Sequence, residues 1–418
     1  MGLMGKWVKM AFTKAVAMKI LLVNHGTASD WGGGDGVQMR ETGKRLAERG
    51  HHVTLINSDQ PEADGFDLVH LFNCRVQNSF QQQMAACKGA GVPVVVSPIW
   101  VSISRALWGS RGTVGVLGQA AEAGPQVTAG LLEQLRQREL MVQLPDGEIY
   151  ADGHGSWDRS GLNLVRDLLG QADGLLPNSW LELQAVRSDL HWKGDCFEVA
   201  HYGVDPKLFL DASPEAFREH TGITKPFVLQ AGRIEPAKNQ AMLCWALKNT
   251  NMPIVLIGSC KNWPTYGELC QQISGDRLCI IDHLPQPLLA SAYAAAAVHV
   301  LPSWMETCGL VSLEAALSGT PLVGSTFGHE LEYLKGDAWW ADPGDPESIE
   351  KAVLGAWQAG RQSPRPIQLK RRILEEFNWE RTVDATERLY QKVLDNNGKT
   401  TILRDHSKTH TRTTRTIF

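Results

Sequence analysis

The clearest indication of the fold comes from residues 298–324, VHVLPSWMETCGLVSLEAALSGTPLVG. It begins and ends with short apolar runs, Val298–Leu301 and Pro321–Gly324, which are typical of buried strands. The helical pattern between them ends at Gly319, and its apolar residues share one face: Leu310, Leu313 and Leu317. A strand, a helix and a second strand in this order predict a parallel βαβ unit.

The same alternation extends over most of the chain, in two sets. The strands predicted for the first set are Ile20–Asn24, Val53–Asn57, Leu68–Phe72, Val92–Val96 and Gly174–Pro177. Those predicted for the second set are Phe227–Gln230, Ile254–Ile257, Leu278–Ile281, Val298–Leu301 and Pro321–Gly324. Each set fits one doubly wound domain, so the sequence predicts an α/β protein with two Rossmann-like parallel-sheet domains facing a central crevice.

Breaks in this pattern mark the expected boundaries. We expect an N-terminal extension at 1–17, a first domain at 18–205, a linker at 206–226 and a second domain at 227–378. The linker is placed where turn-forming Gly, Asp and Pro residues separate the two sets. A last helix at 379–395 and a disordered basic tail at 396–418 complete the chain.

Composition excludes several classes of protein. The 418 residues carry 41 basic and 45 acidic side chains, a formal net charge of −4, so the excess of positive charge that nucleic-acid binding needs is missing. The 43% hydrophobic and 21% charged residues are typical of a soluble globular protein. The longest apolar run, residues 287–302, is interrupted by polar side chains and predicts no transmembrane helix. We expect a cytoplasmic protein, and a basic amphipathic extension with Trp7 and Phe12 leaves peripheral contact with the inner face of the membrane open.

A glycine-rich run, Gly32–Gly36, follows the first strand and opens the first helix. Glycines here let the backbone approach an anionic or polar ligand closely, which makes Gly33 and Gly34 candidate binding residues. Two alternatives stay open. The run could form a dinucleotide-binding turn with Asp59 as the ribose ligand, although its spacing departs from G-x-G-x-x-G, or it could be only a flexible loop.

Two cations follow the first strand of the second set. Arg233 comes directly after the strand that ends at Gly232, and Lys238 lies at the start of the next helix. Fixed cations at a crevice stabilise the charge that grows on a departing diphosphate. Taken alone, however, the pair is more typical of solvated surface residues.

Two glutamates, Glu306 and Glu314, flank the start of the helix in the first stretch with E-x7-E spacing. Glu306 falls in the loop before the helix and Glu314 in its second turn. The N–H groups near Cys308, Gly309 and Leu310 lack helical acceptors and can bind an anion. Glu314 is placed to accept hydrogen bonds from a ribose diol, and Glu306 to contact a hexose hydroxyl.

Together these motifs resemble the retaining family 4 glycosyltransferases of GT-B fold, over about residues 18–395. The resemblance rests on five sets of residues: the glycine run, Gly203-Val204-Asp205, Gly232-Arg233 with Lys238-Asn239, the E-x7-E motif, and Gly328 with Glu330. It implies that Arg233 and Lys238 grip the diphosphate of a nucleotide sugar, that Glu306 with Thr307, Cys308, Gly309 and Leu310 holds the sugar, and that Glu314 binds the ribose. Arg233, Lys238 and Glu306 are thus the catalytic candidates. The resemblance also implies that the last helix returns to the first domain.

One position departs from the family pattern. Many members carry a histidine after the strand that ends near Val96, and Ile99 takes that place here. The candidates to replace it are His25, His70 and His154, although a lone histidine near a strand end is more often structural. Trp31 and Trp100 could stack on a sugar ring, or pack in the core.

The sequence therefore predicts a hexosyltransferase that uses a nucleotide diphosphate sugar with retention. The acceptor, a glycan, a lipid or a small molecule, is not identified. No cofactor or metal is expected, because an Asp-x-Asp motif is missing and the two cations can replace a metal's charge. The alternatives are a nucleotide-sugar epimerase on the same fold and a non-catalytic nucleotide-sugar-binding protein.

Overall fold

The computed structural model describes residues 17–28, 33–101, 117, 151–152, 155–156 and 159–398. Most of the expected N-terminal extension, Gly32, Trp31, His154 and the tail beyond residue 398 lie outside the described residues.

The N-terminal domain is a parallel sheet covered by helices. Its strands are β1 Lys19–Asn24, β2 His52–Asn57, β3 Leu68–Phe72, β4 Val94–Ser97, the short antiparallel pair β5 Ala151–Asp152 and β6 Gly155–Ser156, and β7 Gly174–Leu175. Its helices are α1 Gly34–Glu48, α2 Gln77–Gly89, α3 Arg159–Leu169 and α4 Trp180–Asp189. Within the described ranges the main sheet has the order β2-β1-β3-β4-β7, with all pairs parallel.

The C-terminal domain repeats this architecture. Its strands are β8 Val228–Ala231, β9 Ile254–Ile257, β10 Leu278–Ile281, β11 Val298–Leu301, β12 Leu322–Ser325 and β13 Trp339–Ala341. Its helices are α5 Pro206–Phe209, α6 Glu215–Thr221, α7 Gln240–Ala246, α8 Pro264–Ser274, α9 Gln286–Ala295, α10 Leu310–Leu317, α11 Glu330–Leu334, α12 Pro346–Ala359 and α13 Pro364–Glu376. The parallel order β10-β9-β8-β11-β12-β13 puts β8 beside β11, so the loops after these two strands are neighbours.

The predicted strands agree with the observed ones to within about two residues. The first domain's fourth strand starts at Val94 instead of Val92, after Pro93, whose nitrogen carries no hydrogen for a sheet bond. Two buried strands, β3 and β4, have every residue buried, as expected for a sheet covered on both faces.

Residues 206–226, expected to be a linker, instead form helices α5 and α6 and pack into the C-terminal domain. Phe209 and Phe217 are buried beside Phe227 and Tyr293, and the Phe217 N–H donates to Ser291 Oγ at 2.8 Å. The turn-forming residues of this segment cap two short helices rather than marking a flexible connection: Asp205 caps α5, and Gly222 ends α6 in the left-handed conformation.

The last helix, α14 Trp379–Asn396, packs on the N-terminal domain. Val383 and Leu389 join the core formed with Ile20 and Leu22, while the guanidinium of Arg49 pairs with carboxylates of α14. Within the described residues the chain crosses between the domains near Gly203 and again near Trp379, and the two crossings touch. A Cβ on Gly203 would lie 2.1 Å from the Trp379 nitrogen, so only glycine fits there.

In the described ranges, no helix has both the length and the apolar character that a membrane span requires.

Candidate active site

The loop between β11 and α10 forms the floor of the site. Gly309 precedes α10 with φ +65°, and a Cβ there would lie 2.7 Å from Glu330 Oε2, so glycine is required on both counts. Glu306 Oε1 accepts a hydrogen bond from the Gly309 N–H at 3.2 Å. The Cys308 side chain is buried in the core, which leaves only its backbone for a ligand. The loop is therefore held in one conformation at the amino end of α10.

Lys238 and Glu306 meet directly. Lys238 ends a 3₁₀ turn, Pro236–Lys238, after β8, and its Nζ lies 2.6 Å from Glu306 Oε2. Asn239, at φ +63°, donates to the carbonyls of Pro302 and Pro343 at 3.0 and 2.8 Å and so ties the β8 loop to the β11 loop. The side chains of Lys238 and Glu306 are only 18% and 10% exposed, so their attraction is screened little by water.

Arg233 lies on the same strand end but has a different partner. Its Nη2 is 3.1 Å from Glu235 Oε1, and its side chain is 38% exposed. The Arg233 guanidinium and the less accessible Lys238 ammonium thus lie on the same loop. Both cations are where the sequence predicted them, and the structure adds a carboxylate partner to each.

A buried carboxyl group, Glu330, supports the loop from below. Its Oε1 accepts the Ser325 N–H at 2.7 Å, and its Oε2 lies 3.4 Å from Ser312 Oγ. Burial, with a smaller contribution from the charge of Glu306, raises the pKa of Glu330 to about 8. Near neutral pH this group is mostly uncharged, and it fills the space that Gly309 leaves. The family resemblance included Glu330 but did not predict that it supports the β11 loop.

Helix α11, which carries Glu330, also contacts the N-terminal domain. The Leu181 N–H at the start of α4 donates to Glu332 Oε2 at 3.0 Å, and the Tyr333 hydroxyl donates to the Asn178 carbonyl. One short helix therefore touches both the β11 loop and the opposite domain.

Glu314 lies in the second turn of α10, as predicted. Its Oε2 accepts a hydrogen bond from the Tyr293 hydroxyl at 3.0 Å, and burial raises the pKa of Glu314 to about 7. Glu306 is instead tied to the loop, so the two glutamates have different surroundings.

The glycine run of the N-terminal domain lies opposite this floor. Gly33 caps α1 without a side-chain hydrogen bond, and a Cβ on Gly34 would lie 3.7 Å from Leu310 Cδ1. The amino ends of α1 and α10 therefore face each other across the crevice. Two helix amino termini together favour an anion between them.

Beside the glycine run is a polar cluster that the motifs did not predict as a unit. Asp35 Oδ2 accepts from Asn73 Nδ2 at 3.1 Å and lies 3.5 Å from His25 Nε2, while Oδ1 accepts the Gly36 N–H. Burial alone would raise the pKa of Asp35, but these hydrogen bonds and the nearby His25 hold it well below its usual value. Each of these residues follows a strand or opens a helix at the crevice edge, which is the signal that could have found them.

Comparisons with known proteins show similarity to glycosyltransferases. Residues 213–366 match the family model described as Glycosyl transferases group 1. The chain is 26% identical to the D-inositol 3-phosphate glycosyltransferase of Mycolicibacterium smegmatis over 403 residues, which cover 87% of each chain. The chain is therefore similar to group 1 glycosyltransferases, most directly over residues 213–366.

Two solved structures share the fold of this chain. Sucrose-phosphate synthase from Thermosynechococcus elongatus has a TM-score of 0.68 at 18% identity and covers 90% of this chain and 100% of its own. HepE of Anabaena in complex with UDP-glucose has a TM-score of 0.64 at 16% identity, with 91% and 99% covered. The prediction of a GT-B fold with two Rossmann-like domains is confirmed.

Burial decides two of the alternatives left open for the histidine and aromatic candidates. His70 is buried between the Tyr390 hydroxyl and Ser97 Oγ, at 2.8 and 2.9 Å, and therefore belongs to the core beneath α14. Trp100 is also fully buried, with Nε1 donating to Asp189 Oδ2 at 2.9 Å, so it offers no face to a sugar. Of the described candidates, His25 remains at the crevice.

Ile99, in place of the family histidine, adopts φ +51° and is buried. A β-branched residue in the left-handed region is strained and persists only where surrounding contacts impose it. Glu182 supplies such contacts, because its carboxylate accepts the Trp100 N–H at 2.7 Å and the Asn178 N–H as well. The backbone turn is thus held in place with an apolar side chain at its centre.

In the part of the chain that the structure describes, no three His, Cys, Asp or Glu side chains gather as ligands of a metal ion would.

Proposed function

We propose that the protein is a retaining glycosyltransferase that moves a hexosyl unit from a nucleotide diphosphate sugar to an acceptor. The observation that carries the proposal is the contact between Lys238 and Glu306 at the amino end of α10, with Arg233 on the adjoining loop. A diphosphate placed there would meet two cations and helix N–H groups, while the sugar would lie beside a carboxylate. The complex of HepE with UDP-glucose supports the choice of donor class.

In this proposal the chain's own residues divide the work. Arg233, Lys238 and the N–H groups at α10 stabilise charge that develops on the departing diphosphate, a contribution that grows towards the transition state. Glu306 orients the sugar through its hydroxyls. The departing diphosphate then takes the proton of the acceptor hydroxyl on the face from which it leaves, as the family resemblance implies. No specific observation favours the epimerase or the non-catalytic alternative.

A thermal-shift screen of nucleotide sugars tests the proposal. A donor present at 100 times its dissociation constant adds about 2.7 kcal/mol to the free energy of unfolding, which raises the melting temperature measurably. The donor found in this way is then incubated with candidate acceptors and the products are analysed. If no nucleotide sugar in a panel of uridine, guanosine and adenosine derivatives stabilises the protein, the proposed donor class is wrong.

We propose that transfer needs no divalent metal, since Arg233 and Lys238 meet the diphosphate charge. Initial rates with excess EDTA are therefore expected to stay within about twofold of those of the untreated enzyme. Loss of a required metal would have a far larger effect, because its stabilisation of charge in the transition state is worth several kcal/mol. A complete loss of rate that magnesium or manganese restores would contradict this.

A pH dependence of nucleotide binding follows from placing the ribose on Glu314. Hydroxyl donors bind the ionised carboxylate best, and the pKa of Glu314 in the free protein is about 7. Affinity is then expected to fall as the pH drops through 7, by about 10-fold between pH 8 and pH 6, because the ionised fraction falls by that ratio. Calorimetric titration of wild type and Glu314→Gln at both pH values measures this.

The Glu314→Gln variant is also the control for the pH dependence of Glu314. Titration of the ligand's own phosphates affects both proteins alike, so only the difference between them reports Glu314. Equal pH dependence in both proteins would remove Glu314 from the ribose site.

A further inference from the structure

Arg75 reaches across the crevice from the N-terminal domain. It follows β3, and its Nη1 lies 3.0 Å from the Sδ atom of Met305. Met305 directly precedes Glu306 in the chain. Its Nε lies 3.4 Å from Asn73 Oδ1. A residue of the first domain thus contacts the loop that carries the proposed sugar-binding glutamate.

The guanidinium of Arg75 has poor partners for a partly buried cation. It carries five N–H donors, yet its hydrogen-bond acceptors within the described residues are a thioether sulfur and one distant amide oxygen. No carboxylate of the described chain lies within 4 Å of it. Burying a cation without a close anion is costly, so the protein leaves a strong binding capacity unused at this point.

The charges around Arg75 come from both domains. Burial lowers the pKa of Arg75, the charges of Asp35 and Glu182 oppose that shift, and the charge of Arg233 adds to it. Two guanidinium groups from opposite domains are therefore close enough to repel one another. A shared anion would convert that repulsion into attraction.

We propose that Arg75 binds a phosphate group in the crevice, facing Arg233 from the N-terminal side. The inference rests on the proposed function for its choice of ligand. Two sources supply the same chemistry: the diphosphate of the donor and a phosphate carried by the acceptor. In either case a phosphate held by cations of both domains favours the closed crevice, and the planar guanidinium sets the orientation of that phosphate.

Calorimetry with defined probes tests the proposal. UDP, GDP and ADP are titrated into wild type, Arg75→Gln and Arg75→Lys, and inorganic phosphate is then titrated into the protein with and without the bound nucleotide. We expect Arg75→Gln to weaken binding of one phosphate ligand about 10- to 100-fold, the range for a lost charge-assisted hydrogen bond, and Arg75→Lys to weaken it less. Arg187→Gln, which removes an exposed cation of the same domain, is the control.

The two arms identify the source of the phosphate. Weaker nucleoside diphosphate binding assigns Arg75 to the donor. Unchanged nucleotide binding with weaker phosphate binding to the nucleotide complex assigns it to the acceptor. Unchanged binding in both arms, in variants that melt at the wild-type temperature, overturns the proposal. If wild type binds none of the three nucleotides, the proposed function fails, and the phosphate titration of the free protein still tests Arg75.

Discussion

Replacing Lys238 or Arg233 by alanine is expected to lower turnover about 10²- to 10³-fold, because each change removes a donor that acts mainly on the departing diphosphate. The effect of Lys238→Ala is expected to be the larger. Lys238 Nζ is only 2.6 Å from Glu306 and 18% exposed, so its removal also leaves Glu306 without its cation. Arg233 is more accessible, at 38% exposed, and it pairs with Glu235 instead of Glu306, so its removal leaves the contact between Lys238 and Glu306 in place.

Steady-state rates and melting temperatures of these variants separate chemistry from folding. Lys335→Ala is a matched control, since Lys335 belongs to the same domain but pairs at the surface with Glu376. Near wild-type turnover in folded Lys238→Ala and Arg233→Ala would show that the diphosphate does not bind at this loop.

Glu306→Gln is expected to lower turnover by about 10²-fold while leaving the affinity for a free nucleoside diphosphate almost unchanged. Glutamine keeps an acceptor for the Gly309 N–H but loses the charge that holds Lys238. The sugar is absent from a nucleoside diphosphate, so a residue that holds the sugar should affect turnover and not that binding. Glu314→Gln is expected to do the opposite and weaken nucleotide binding.

A double-mutant cycle sharpens this comparison. Because Lys238 and Glu306 contact each other, the loss for Lys238→Ala with Glu306→Gln should be clearly smaller than the product of the two single losses. Glu375→Gln, on the exposed face of α13, controls for removal of an acidic charge. If Glu306→Gln and Glu314→Gln weaken nucleotide affinity equally, Glu306 does not lie at the sugar.

Local patterns predicted the sheets and the loops that end them. The buried strand Ile254–Ile257 is a continuous apolar run, and Leu68–Phe72 is apolar except for His70; both were predicted with their observed bounds. Gly309 and Glu314 could also be located, because the start of α10 and its second turn depend on residues within one helix.

Contacts between distant parts of the chain were beyond such patterns. Trp100 and His70 could have been at the crevice or in the core, and only the packing of Glu182, Asp189 and Tyr390 around them decided for the core. Turn-forming residues in 206–226 likewise suggested a linker. The local pattern could not show that Phe217 is buried, because that burial depends on α9, more than 60 residues further along the chain.

Local sequence patterns were enough to predict the two parallel sheets and the strand ends that carry Arg233, Lys238 and Glu306, because apolar periodicity and glycine placement act over a few neighbouring residues. Which side chains meet depends instead on tertiary packing. The pairing of Lys238 with Glu306 follows from β8 lying next to β11, and Arg75 reaches Met305 because the domains face each other. Such contacts join residues 68 and 230 positions apart, and they depend on strand order and on domain orientation, which no local pattern encodes.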